Sequence, residues 1–167
     1  ENDVNAGALA EKAHGSCQQA SDFLWITVSN GVGGAIFLND RLYLGATGTA
    51  GEIGHTKVAS PGRQCDCGQR GCLEAHASGR AIAMAYASRK GRDPDESPPD
   101  AAELAERARQ NDAEAKACFR EAGASLGRAI GNAVNLLDIP KVILGGGVAS
   151  SIDLLMPTIT EALRETV

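Results

Sequence analysis

The sequence predicts an α/β fold, and three observations carry that reading. An almost unbroken apolar run, Phe23 to Val28, leads through a glycine-rich turn into a hairpin pattern. Long stretches with helical spacing follow. A short apolar run near the end, Lys141 to Leu144, then passes through three glycines into a last helix. A strand-turn-hairpin followed by helices and a closing βα unit is the signature of mixed α/β architecture.

Each element has its own justification. Val4 to Lys12 has helical spacing, with Val4, Ala8 and Leu9 on one side and Asn2 or Asp3 placed to cap it. Phe23 to Val28 is apolar on alternate and intervening positions, as a strand buried on both faces requires. Ser29 to Gly34 reads as a turn. Ala35 to Leu38, Asn39-Asp40 and Arg41 to Leu44 read as a hairpin with a two-residue turn. Gly45 to Gly54 is a small-residue loop, and His55 to Val58 is expected to be a short strand. A helix is expected from about Leu73 to Arg89, then a polar, proline-rich linker over 91–100 whose last residue, Asp100, caps the next helix. Ala101 to Arg109 and Ala113 to Leu137 are helical, and Pro140 ends the second. Gly127 and Gly131, four apart, point to close helix packing. The strand Lys141 to Leu144 enters the turn Gly145-Gly146-Gly147, and Ser151 to Glu165 forms the last helix. Pro157 moves its expected start toward Met156.

Composition excludes several classes. At 167 residues, 43% hydrophobic and 22% charged, the chain can bury a core and is not a disordered segment. Aromatics are 4% against 20 glycines, so the core must use aliphatics and close backbone approaches. A net charge of -5 argues against a grip on a polyanion. No apolar run approaches the roughly 18 residues of a membrane span, there is no signal-peptide pattern, and a cytoplasmic setting is expected. The chain starts Glu1-Asn2-Asp3 without Met and reads as a piece of a longer protein.

The five cysteines are Cys17, Cys65, Cys67, Cys72 and Cys118. An odd count with three of them between positions 65 and 72 does not suit a secreted disulfide framework. Cys65-x-Cys67-Gly68-x-x-Gly71-Cys72 instead has the form of a metal knuckle, with three thiolates converging around a glycine turn. Zinc takes four such donors in a closed tetrahedron, so a fourth ligand is needed; without one the three are reduced thiols in a loop. Either His55 or His76 lies close enough in sequence, and His14 does not. Cys17 and Cys118 read as small core residues.

Two glycine clusters and three acids complete the candidates. Gly145-Gly146-Gly147, between strand and helix, is either a nucleotide-contacting turn or an ordinary βα turn. Gly31, Gly33 and Gly34 lead into a hairpin rather than a helix, which argues against a dinucleotide fingerprint and suits a phosphate-contacting hairpin or a plain turn. Asp3 is either a helix cap or a functional carboxylate. Glu52 and Glu74 flank the knuckle and, taken singly, are surface acids.

In order along the chain, Glu1-Asn2-Asp3-Val4-Asn5-Ala6, Ser29-Asn30-Gly31-Val32-Gly33-Gly34, Ala50-Gly51-Glu52-Ile53-Gly54-His55, the cysteine motif through Glu74, and Leu144-Gly145-Gly146-Gly147-Val148 resemble ROK proteins. These are bacterial sugar kinases, glucokinases above all, together with sugar-responsive repressors. The resemblance implies the ribonuclease-H-like, actin-like ATPase (sugar kinase) fold, and the chain then corresponds to residues 1–167 of a larger lobe with a zinc loop over 55–74. The family's first phosphate loop, of Asp-x-Gly-Gly-Thr type, belongs to an amino-terminal lobe that this sequence lacks. The resemblance implies ATP-dependent phosphorylation of a hexose, glucose-like or N-acetylated, with a sugar-sensing repressor domain as the alternative.

Roles follow by position. Asp3 matches the catalytic base, Asn2 a hydroxyl ligand, and Glu52, His55 and Glu74 sugar ligands. His55, Cys65, Cys67 and Cys72 match the zinc ligands, with the second His55 ring nitrogen offered to the sugar. Asn30, Gly31, Gly33 and Gly34 match the second phosphate loop, and Gly145, Gly146 and Gly147 the adenosine loop. Asn30 stands where the family usually has Thr. The implied cofactors are ATP with Mg²⁺ and structural Zn²⁺. The implied partners are the hexose and a second copy of the chain, with no membrane, and nucleic acid only through an upstream DNA-binding domain.

Overall fold

A computed structural model describes residues 3–91 and 98–167. Its centre is a four-stranded sheet of β1 (Phe23–Val28), β2 (Val32–Leu38), β3 (Arg41–Tyr43) and β4 (Val142–Gly145), in the order β3-β2-β1-β4. β1 pairs antiparallel with β2 and parallel with β4. The β2–β3 hairpin turns through Asn39 and Asp40, both at positive φ, the conformation that a two-residue turn matching strand twist demands.

Alternation along β1 divides the molecule into layers. Phe23 faces helix α1 (Asp3–His14), where Ala8, Cys17 and Phe37 close a small core and the Phe23 and Phe37 rings stack at 4.5 Å. Leu24, Ile26 and Val28 face the larger core, which also takes in Phe119, Leu126 and Leu155. The remaining helices are α2 (Glu74–Ala77), α3 (Gly79–Lys90), α4 (Ala101–Arg109), α5 (Ala113–Leu137) and α6 (Ile152–Thr166). α4 and α5 start where their capping carboxylates stand: Asp100 accepts from Glu103 N–H, and Asp112 accepts from Glu114 and Ala115 N–H. Gly127 and Gly131 do pack closely, since a Cβ on Gly127 would lie 2.5 Å from the Ile159 carbonyl and one on Gly131 2.6 Å from Thr166.

Several expected boundaries move. β2 begins at Val32, so Gly33 and Gly34 are strand residues and the turn is confined to Ser29–Gly31. The expected strand over His55–Val58 is a 3₁₀ turn, Ile53–His55, followed by a single antiparallel bridge, Lys57 to Cys72. The expected helix from Leu73 to Arg89 is two helices. Ser78 is extended and accepts Ala81 N–H as a new cap, because Ser competes for backbone donors where Ala does not. The last helix starts at Ile152, ahead of Pro157, which sits inside it and forgoes one hydrogen bond near the exposed amino end. Asp3 is the first residue of α1, while Asn2 and positions 92–97 of the linker lie outside the described residues.

Candidate functional site

The knuckle is built by backbone pairing. Leu73 N–H donates to Thr56 C=O, Val58 N–H to Gly71 C=O and Gly71 N–H to Arg63 C=O, each at 2.9 Å. At the tip, Gly68 N–H meets Cys65 C=O at 3.0 Å with Gly68 at φ +85°, where a side chain would be strained. This folding brings one ligand atom each from His55, Cys65, Cys67 and Cys72 within 4.8 Å of one another. Cys67 Sγ lies 3.7 Å from Cys72 Sγ, and Cys65 Sγ lies 3.9 Å from His55 Nδ1. A tetrahedron with Zn–S bonds of about 2.3 Å and Zn–N of about 2.0 Å spaces its donors by roughly 3.5–3.8 Å. The donor set and spacing therefore fit a closed, four-coordinate zinc centre, and all five cysteines are free thiols.

The thiols are not equivalent. Burial pushes the Cys65 thiol up to about 11. The Gln69 backbone N–H, with Cys65, holds exposed Cys67 below its usual value. His76, the other histidine near the knuckle, is used differently: its Nε2 accepts the Arg63 backbone N–H at 3.2 Å and so braces the loop.

The expected sugar ligands hang from the same frame. His55 Nε2, the nitrogen pointing away from the thiolates, lies 4.0 Å from Glu52 Oε2. Glu74 opens α2; its Oε2 accepts Val32 N–H at 2.9 Å and its Oε1 lies 3.9 Å from Cys65 Sγ. Gly51 and Gly54 explain how the Glu52 segment reaches the hairpin. A Cβ on Gly34 would lie 2.7 Å from the Gly51 carbonyl, and one on Gly54 would strike the Val32 carbonyl. Asp3 is exposed at the start of α1, and its neighbour Val4 packs on Gly33, whose Cβ would sit 2.7 Å from Val4 Cγ2. At an α-helix amino end a carboxylate is favoured by the helix dipole.

The seven residues expected at the cofactor divide in two. Asn30 and Gly31 line a cavity of about 740 Å³ beside Cys65 and Glu74. Asn30 and Gly147 line a second cavity of about 350 Å³, with Ser29, Gly79 and Arg80. A Cβ on Gly147 would meet open space. Gly33, Gly34, Gly145 and Gly146 instead permit close packing: Gly145 lies under the Trp25 indole, and Gly146, at φ +89°, lies against the Val28 carbonyl.

Sequence reasoning missed three participants. Gly79 N–H donates to Ser29 C=O at 2.7 Å and ties α3 to the hairpin turn. Trp25 spans α1 and β4, touching the positions of Gly7 and Gly145, and its indole N–H is buried with no partner among the described residues. Lys57 donates to Cys72 Sγ at 3.1 Å. The Ser78-Gly79 pair was a legible cap signal, whereas the other two contacts depend on pairing register.

This sheet, its flanking helices and the knuckle define the actin-like ATPase class of fold, in the form found in sugar kinases. The chain belongs to the ROK family, whose model matches residues 1–167. It is 44% identical over 147 residues to an N-acetylmannosamine kinase of Haemophilus influenzae, covering 88% of this chain and 47% of that protein. A ROK family glucokinase from Streptomyces griseus, solved in complex with glucose and AMPPNP, superposes with a TM-score of 0.87 at 33% identity over 99% of this chain and 57% of that one. A ROK family transcriptional regulator, a homologue of the E. coli MLC protein, superposes with a TM-score of 0.88 at 32% identity over 99% of this chain and 43% of that one. The chain thus spans about half the length of the curated relatives it matches.

Proposed function

We propose that this chain is the larger lobe of an ATP-dependent ROK sugar kinase acting on an N-acetylated hexosamine, N-acetylmannosamine first among them. The observation that carries this reading is the joining of three groups by one frame: Asp3 on a helix seated against β2, Glu52 and His55 seated against the same strand, and Glu74 bonded to Val32. The identity to N-acetylmannosamine kinases supports the choice of sugar.

In this reading Asp3 accepts the proton of the attacking hydroxyl. A primary alcohol is a poor nucleophile at neutral pH, and a positioned base contributes about 10²–10⁴-fold. Glu52, Glu74 and His55 Nε2 orient the other hydroxyls, and Asn2 adds a further contact. Asn30 and Gly31 face the phosphates, and Gly147 faces the nucleoside. ATP with Mg²⁺ supplies the phosphoryl group and its charge neutralisation. Zinc held by His55, Cys65, Cys67 and Cys72 is closed to substrate and staples the loop that carries Glu74. Free thiol ligands suit a reducing, cytoplasmic setting, and the same reading includes a homodimer formed through this lobe.

The regulator superposes as well as the kinase, so a sugar-sensing repressor is the second reading. Asp3 favours the kinase, because a sensor has no proton to move. Assaying the intact protein for phosphorylation of N-acetylmannosamine and glucose tests the proposal. Turnover with preference for N-acetylmannosamine is expected; tight sugar binding without transfer would favour the repressor. The 167 residues alone are expected to bind zinc without turnover.

A further inference from the structure

A divalent ion held by three thiolates and a neutral imidazole retains one net negative charge. Glu74 Oε1, 3.9 Å from Cys65 Sγ, adds a second at the same place. Cys72, fully buried, carries its share away from water. Buried charge of one sign is costly unless paired.

The fold supplies a cation at this point. Lys57 and Cys72 are directly opposite in the antiparallel bridge, with Thr56–Leu73 and Val58–Gly71 hydrogen bonds on either side. Opposed residues of such a bridge project from the same face. Lys57 Nζ accordingly reaches Cys72 Sγ at 3.1 Å, and among the described residues Lys57 makes no ion pair with a carboxylate. Lys57 is exposed, yet its ammonium is aimed at the sulfur of a fully buried cysteine instead of spreading into solvent.

We propose that Lys57 is a working part of the metal centre: its ammonium donates a charge-assisted hydrogen bond to the Cys72 thiolate, offsets the excess negative charge and holds the ion more tightly. It is a positioning residue and not a ligand, and the inference rests on the reading that the quartet binds zinc. The Cys72 thiolate is the least reactive of the three, because its lone pair is already engaged.

The test uses the intact protein and two variants. Lys57→Met keeps the aliphatic stem and removes the charge; Lys57→Arg keeps charge and donors. Equilibrium competition with a chromophoric zinc chelator gives the affinity of each. The Co²⁺-substituted proteins report the thiolate-to-metal charge-transfer band. We expect one zinc per chain in all three, with Lys57→Met weakened about tenfold or more and Lys57→Arg restored toward wild type. The charge-transfer band should shift to lower energy in Lys57→Met alone, because an unbonded thiolate gives up its electron more readily. Unchanged affinity and an unchanged band in Lys57→Met would overturn the proposal, and so would equal loss of zinc in both variants. A wild type without zinc at the quartet would overturn the metal reading itself.

Discussion

Glu74 Oε2 accepts the backbone N–H of Val32 at 2.9 Å, across 42 positions of sequence. This bond joins the cysteine knuckle to the hairpin whose turn carries Asn30 and Gly31. A side chain at Gly31 would collide with it, since a Cβ there would lie 2.6 Å from the same oxygen. Glu74 thus belongs to two parts of the proposed site.

Removing that carboxylate should disturb both parts. Glu74→Ala leaves a partly buried N–H without its acceptor, at a cost of about 1–3 kcal/mol. Zinc content should stay at one per chain, while KM rises for both sugar and ATP. Steady-state kinetics with each substrate varied in turn measures this; a rise confined to the sugar would show that the bond does not couple the two.

The metal itself should be essential to the loop. Protein purified without added metal should contain about one equivalent of zinc by elemental analysis. Cys65→Ser with Cys67→Ser should abolish it and lower the melting temperature, because folding of the knuckle draws on metal binding. Zinc retained at full stoichiometry in the double variant would remove these ligands from the site.

Gly145 and Trp25 form an obligate pair. A Cβ at 145 would lie 2.1 Å from indole Cη2, so Gly145→Ala should destabilise by about 1–3 kcal/mol through overpacking. In a Trp25→Leu background the same substitution should cost at least about 1 kcal/mol less. Denaturant unfolding of the four proteins of this cycle measures the coupling, and strict additivity would disprove it.

His76 makes the lobe sensitive to acid. Burial first, then the positive charges of Arg63 and Arg128, hold its imidazole below the usual 6.5, with Glu121 opposing. Its neutral Nε2 is also the acceptor for Arg63 N–H. The unfolded chain takes up the proton first as pH falls, so the contribution is complete above about 6.5 and is lost as pH falls toward the folded value. The melting-temperature difference between wild type and His76→Gln should narrow as pH drops from about 7.5 to 5.5. A difference constant over that range would exclude His76 as the sensitive group.

The legible and illegible parts of this molecule differ in physical kind. Asn39-Asp40 and the cap Asp100 act on their own neighbours, so the hairpin turn and the start of α4 could be read directly. The three-cysteine part of the knuckle could be read from its spacing, whereas the preference for His55 over His76 came from the family resemblance, and the folded chain brings His55 to the three sulfurs. What the glycines are for could not, because it is set by what lies across from them: Val4 over Gly33, Gly51 over Gly34 and Trp25 over Gly145. Lys57 was hidden for the same reason, since only the bridge register puts it on Cys72. The break at Ser78 was available in the sequence, and alanine-rich surroundings masked it.

Asp3 carries the proposed chemistry, and one substitution tests it. Asn is nearly isosteric and can still bond a sugar hydroxyl, but it cannot take up the proton. Steady-state phosphorylation of N-acetylmannosamine by the intact protein and its Asp3→Asn variant, beside calorimetric sugar binding, separates turnover from affinity. The account predicts a fall in kcat of about 10²–10⁴-fold with sugar affinity nearly unchanged. A helix start occupied only for capping predicts the opposite, because Asn serves there as well as Asp: an equally active variant would contradict the assignment of Asp3 as the base.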